Sequence, residues 1–128
     1  MYTIFFETHF AASHQLHGYQ GECKDLHGHT WKVRVEITSD QTNDIGISMD
    51  FRQLKEISRS VLELLDHRHI NDVPPFDRIN PTAENLSKFI YESVKIKLPD
   101  SVHMSRVTVW ESVQYGITYS EQNSDQSQ

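Results

Sequence analysis

Sulfur chemistry is almost missing from this chain of 128 residues, which carries one cysteine, Cys23. No internal disulfide can form, and the disulfide-framework class of small secreted domains is excluded. Glycine and proline are sparse, at five and four residues; no internal repeat runs through the sequence, and its one low-complexity stretch is the tail Glu121 to Gln128. No stretch approaches the roughly 20 consecutive apolar residues of a membrane span. The opening MYTIFFETHF has neither the basic n-region nor the apolar h-region of a signal peptide, so a soluble, cytoplasmic protein is expected. Basic side chains are the minority, 12 against 18 acidic, for a net charge of -6. The basic footprint of a nucleic-acid binder is therefore absent, and neither nucleic acid nor membrane is expected as a partner. Apolar residues reach only 37%, which predicts one domain with a small core that leans on neighbouring subunits. What the chain has in excess is histidine, eight in all, and that points to metal or proton chemistry.

The hydrophobic pattern predicts the order β-β-α-α-β-β. Tyr2 to Phe10 is rich in aromatic and β-branched residues and reads as a strand, followed by a loop from about Gln15 to Gly28. Trp31, Val33, Val35 and Ile37 alternate with Lys32, Arg34, Glu36 and Thr38, a period of two with one face in a core. Phe51, Leu54, Ile57, Val61, Leu62 and Leu65 recur at helical spacing, with Ser48 or Asp50 available as the cap. Leu86, Phe89, Ile90, Val94 and Leu98 make a second stripe that Thr82 can cap and Pro99 stops. Val107 and Val109 begin a third strand, and Tyr115 to Tyr119 return as a fourth. The expectation is an α+β fold, a four-stranded antiparallel sheet with two helices on one face. Residues 1–120 form the domain, and 121–128 a polar tail expected to be disordered. Unpaired sheet edges need cover, and pairing with other subunits into a barrel would supply it.

The sharpest cluster is Cys23-Lys-Asp-Leu-His27-Gly-His29, with His14 upstream at the end of the first strand. Three imidazoles and an open position are the ligand set of a catalytic zinc. Against this, roughly half a His-x-His pair is expected by chance at this histidine content. Asp66-His67-Arg68-His69 has the same grammar: Asp66 can orient His67 for proton transfer, or the segment can be a helix end decorated with cations. Glu111 continues the inward parity of Val107 and Val109. It is either a carboxylate facing a ligand or a solvated residue past the strand end.

Taken in order, Phe10-Ala-Ala-Ser-His14, Cys23-x3-His27-Gly-His29, Asp50-Phe51, Leu65-Asp-His-Arg-His-Ile-Asn-Asp72, Asn80-Pro-Thr-Ala-Glu-Asn85 and Trp110-Glu111 resemble the 6-pyruvoyl-tetrahydropterin synthase/QueD family from about Phe6 to Tyr119. The three-residue gap after Cys23 is similar to that of its bacterial 6-carboxy-5,6,7,8-tetrahydropterin synthase (QueD) members. The resemblance implies the tunnelling fold, with trimers stacked into a homohexamer and sites at subunit interfaces. It implies zinc on His14, His27 and His29, Cys23 as general base, and Asp66 with His67 as the second proton-transfer group. It also implies that Glu111 and Thr82 anchor the pterin. The reaction implied converts 7,8-dihydroneopterin triphosphate to 6-carboxy-tetrahydropterin, acetaldehyde and triphosphate in queuosine biosynthesis. Pyruvoyl synthase chemistry without carbon-carbon cleavage and a non-catalytic pterin-binding module are the alternatives. Ser112 and Gln114-Tyr115 depart from the family where Thr and smaller residues are common.

Overall fold

A computed structural model describes residues 1–18 and 27–121, His27 by its backbone alone. Strand β1 (Tyr2–His14) and strand β2 (His27–Ser39) form a long antiparallel hairpin ladder, from Tyr2 opposite Ser39 to His14 opposite His27. Helix α1 (Phe51–Leu62) follows, then a short strand β3 (Arg68–His69) that leads into one turn of 3-10 helix at Ile70–Asp72. Helix α2 (Ala83–Lys95), strand β4 (His103–Trp110) and strand β5 (Gly116–Ser120) complete the chain.

The sheet has five strands in the order β3-β1-β2-β4-β5, and β3 runs parallel to β1. The architecture is α+β as expected, but the sheet is mixed and five-stranded rather than antiparallel and four-stranded. A strand of two residues has no periodicity to read, which is why Arg68 and His69 give no signal. The first strand also runs past Phe10 to His14, because Ala12 and His14 keep the inward parity of Ile4 and Phe10.

Alternation does the sorting between faces. Ile4, Phe10 and Ala12 of β1, Trp31, Val33, Val35 and Ile37 of β2, and Val107 and Val109 of β4 are all buried. Against that face α1 packs on β1, and α2 on β4 and β5. Leu54, Val61 and Leu62 of α1 and Leu86, Ile90 and Val94 of α2 supply the matching apolar stripes. Phe51, counted in the first stripe, lies exposed at the helix start. Asp50 rather than Ser48 caps α1, accepting from the Arg52 N–H at 2.8 Å. Helix α2 ends at Lys95, before Leu98, whose N–H closes a looser turn on the Lys95 carbonyl.

Glu121, assigned by sequence to the tail, is held: its carboxylate accepts from Lys95 Nζ at 3.2 Å and from the Tyr119 hydroxyl at 3.0 Å. The rest of the expected tail lies outside the described residues. Among the described residues no helix is long and apolar enough to cross a membrane.

Candidate active site

The buried face of the sheet ends in histidine. Parity carries β1 from Phe10 and Ala12 to His14, and β2 from Val33 and Trp31 back to His29. His14 is fully buried and His29 is 22% exposed, so the pair marks where the core opens. Trp31 forms the floor. Its ring meets His14 edge-on with centroids 4.9 Å apart and His29 edge-on at 4.4 Å, and it stacks on Phe10 from the other side. Trp31 is completely buried, so both imidazoles lean on a fixed surface.

One nitrogen of His14 is committed to the backbone. A carbonyl oxygen only accepts, so the 2.8 Å contact between His14 Nδ1 and the Pro81 carbonyl makes Nδ1 the donor. Nε2 then faces the site, and a backbone carbonyl behind the ring is the usual support for a metal-binding histidine. Glu111, just beyond the end of β4, points Oε1 at this nitrogen from 3.2 Å and lies 3.9 Å from His29 Nε2. The ligand atoms of His14, His29 and Glu111 all fall within 4.8 Å of one another. A four-coordinate ion with bonds of about 2.0–2.2 Å sets its ligand atoms about 3.3–3.6 Å apart. The donor chemistry therefore fits a divalent metal, and the 3.2 and 3.9 Å contacts of Glu111 bracket that spacing.

The third expected ligand position, His27, stands opposite His14 in the ladder; its side chain, like Cys23, lies outside the described residues. Glu111, expected on the pterin, stands in the same group, beside His14 and His29. Parity with Val107 and Val109 was the signal for its inward direction, while its two histidine neighbours come from β1 and β2 and leave no local trace.

Asp66 and His67 form a separate pair where the chain enters β3. Asp66 Oδ1 accepts the Ala11 N–H at 2.9 Å and contacts His67 Nδ1 at 2.9 Å. The Ala11 N–H first, and then the His67 ring, hold this carboxyl below the usual aspartate range. His67 has a left-handed backbone with φ of 58°, a conformation that a non-glycine residue adopts at a cost. Its N–H donates to the Ala11 carbonyl, and its ring is 82% exposed. Thr82 caps α2, its hydroxyl accepting from the Asn85 N–H at 3.1 Å. Arg68 and Arg78 are exposed, and Lys32 lies over Trp110 with its Nζ 4.8 Å from the ring centroid.

The family model for 6-pyruvoyl tetrahydropterin synthase matches residues 3–122. The chain belongs to this family. A dihydroneopterin monophosphate aldolase of Pyrococcus furiosus is 32% identical over 114 residues, covering 89% of this chain and 93% of that one. A 6-carboxy-5,6,7,8-tetrahydropterin synthase of Synechocystis is 34% identical over 100 residues, covering 74% and 76%. The solved structure of Caenorhabditis elegans 6-pyruvoyl tetrahydropterin synthase superposes with a TM-score of 0.84 at 26% identity, covering 94% of this chain and 96% of that one. The fold is thus the tunnelling fold of these enzymes, and the chain is a pterin-processing family member.

Proposed function

We propose that the protein is a zinc-dependent 6-carboxy-5,6,7,8-tetrahydropterin synthase acting on 7,8-dihydroneopterin triphosphate, with acetaldehyde and triphosphate as co-products. The carrying observation is the convergence of His14, His29 and Glu111 at the mouth of the buried face in a chain of this family. Relatives bearing the 6-carboxy name, at 28% to 34% identity, support this product, while relatives named for the aldolase and pyruvoyl chemistries, at 32% and 34%, define the alternatives. Zinc is assigned to His14, His27 and His29, where it would act as a Lewis acid on the side-chain oxygens of the substrate.

Glu111 borders that group and is assigned to the pterin, whose adjacent ring N–H and amino donors match two carboxylate oxygens. Thr82, at the start of α2, is assigned beside it. Asp66 orients His67 through Nδ1 and leaves the far nitrogen of an exposed ring to carry a proton. Cys23 is assigned as the base that removes the opposing proton. A homohexamer of stacked trimers is assigned as the family resemblance implies, with the sheet edges at β3 and β5 as the places where other copies would pair.

The deciding experiment is incubation of the zinc-loaded protein with dihydroneopterin triphosphate, followed by mass analysis of products. Acetaldehyde with 6-carboxy-tetrahydropterin is expected. A 6-pyruvoyl product without acetaldehyde would overturn the reaction in favour of pyruvoyl synthase chemistry. Release of a two-carbon fragment larger than acetaldehyde, leaving a hydroxymethyl pterin, would assign the aldolase chemistry named for the Pyrococcus relative.

A further inference from the structure

The pairing of β1 with β3 ends at Ser13 opposite His69, but the chain beyond it remains paired by other means. The Gln15 N–H donates to Asn71 Oδ1 at 2.9 Å, and the Gln15 carbonyl accepts from Asn71 Nδ2 at 2.8 Å. Two residues on, the His17 N–H donates to Asn80 Oδ1 at 2.9 Å, and its carbonyl accepts from Asn80 Nδ2 at 2.7 Å. A carboxamide that exchanges both bonds with one residue reproduces what a facing strand does at a hydrogen-bonded pair. The spacing of two is also that of a strand, where alternate residues present their backbone groups to the same side.

The same connector closes on the side chain between these points and the ladder, because Pro81 receives His14 Nδ1. It is itself anchored: the Asn80 carbonyl accepts from Asn85 Nδ2 at 2.8 Å, and Thr82 caps the helix that follows. In each of Asn71 and Asn80, both amide atoms are engaged with the 15–17 backbone. One donor and one acceptor of each carboxamide are thus committed to the chain that leaves His14.

We propose that Asn71 and Asn80 are positioning residues that substitute for a strand along residues 15–17 and thereby hold His14 against Pro81 in its metal-binding orientation. The proposal rests on the metal reading given above. Without the clamp, the bond from His14 Nδ1 to the Pro81 carbonyl would run to a connector no longer registered against the backbone beyond His14. Supports behind a ligand typically alter metal affinity by roughly 10–100-fold when removed.

Two readouts test it on the full chain. Amide hydrogen exchange at Gln15 and His17 reports the clamp, and zinc titration against a chelator reports the site. In Asn71→Ala/Asn80→Ala, exchange at both amides should accelerate while Val107 and Val109 stay protected, and zinc affinity should fall roughly 10–100-fold. Zinc affinity within about twofold of the parent, despite accelerated exchange, would overturn the positioning role. Unchanged exchange would overturn the clamp. If the double variant loses protection throughout, the single variants Asn71→Ala and Asn80→Ala carry the same comparison, each at its own amide, Gln15 or His17. A parent protein that takes up no zinc would overturn the metal reading separately, and the exchange data would still decide the clamp.

Discussion

Asp66 links stability to pH at a single carboxyl. Its folded value is depressed by the Ala11 N–H and by His67, so its contribution is present above the unfolded aspartate value and is lost as the pH falls through the lowered folded one. Asp66→Asn should therefore flatten the acid limb of the stability curve below about pH 4, measured by denaturant titration at a series of pH values. The effect will be small, because the side chain is 37% exposed and solvent screens it. His67 gives a sharper test of backbone. With φ at 58°, His67→Gly should be more stable than His67→Ala by about 1 kcal/mol, while both lose turnover if the ring carries a proton. At Glu111, Glu111→Gln separates two roles: a raised KM with zinc retained supports the pterin contact, and lost zinc supports ligation. Local sequence made Asp66 and His67 legible as neighbours. The Pro81 carbonyl behind His14 was not, since backbone groups leave no compositional signal and residues 14 and 81 meet only through the fold.

Among the elements, Thr82 has a structural duty that must be separated from any contact with substrate. Thr82→Ala should cost about 1 kcal/mol through the lost cap, measured by thermal or chemical unfolding, and Thr82→Ser should restore it. A KM change that persists in the serine variant would then belong to the pterin and not to the helix. The long strands and both helices were legible because alternation or 3.6-residue spacing runs through each of them. Strand β3 was not, for it owes its existence to Ala12 and Ser13 across the gap rather than to anything in Arg68 and His69. The helix ends were overrun for a related reason. Leu65 is fully buried although it lies beyond α1, so hydrophobic spacing reads burial and not hydrogen bonding.

For the whole molecule, the outer sheet face is the open surface. Glu7 contacts both Lys32 and Arg34 at 3.5 Å, Arg34 reaches Glu36 at 3.6 Å, and the Arg34 guanidinium sits 3.8 Å from the centre of half-exposed Phe5. Partly exposed pairs of this kind add little to the stability of one chain. Enclosed by neighbouring sheets they would be less screened. Light scattering after gel filtration should give about six times the chain mass if the sheets close into stacked rings, and a monomer mass would remove that assembly. The small core read from composition fits this surface, but the partner edges cannot be read from a pattern internal to one chain.

Trp31 gives the protein an optical readout of its own. The chain has two tryptophans; Trp31 is sealed from water with two imidazoles against its ring, while Trp110 lies partly exposed beneath Lys32 on the other face. An ion held by the same rings would fix them and change the surroundings of the buried indole. Adding zinc to metal-free protein at constant pH should therefore change the blue-edge emission and leave that of Trp110 as it was. Trp31→Phe, leaving Trp110 as the sole emitter, should abolish the change. Metal occupancy would then be visible in unlabelled protein, without substrate or turnover.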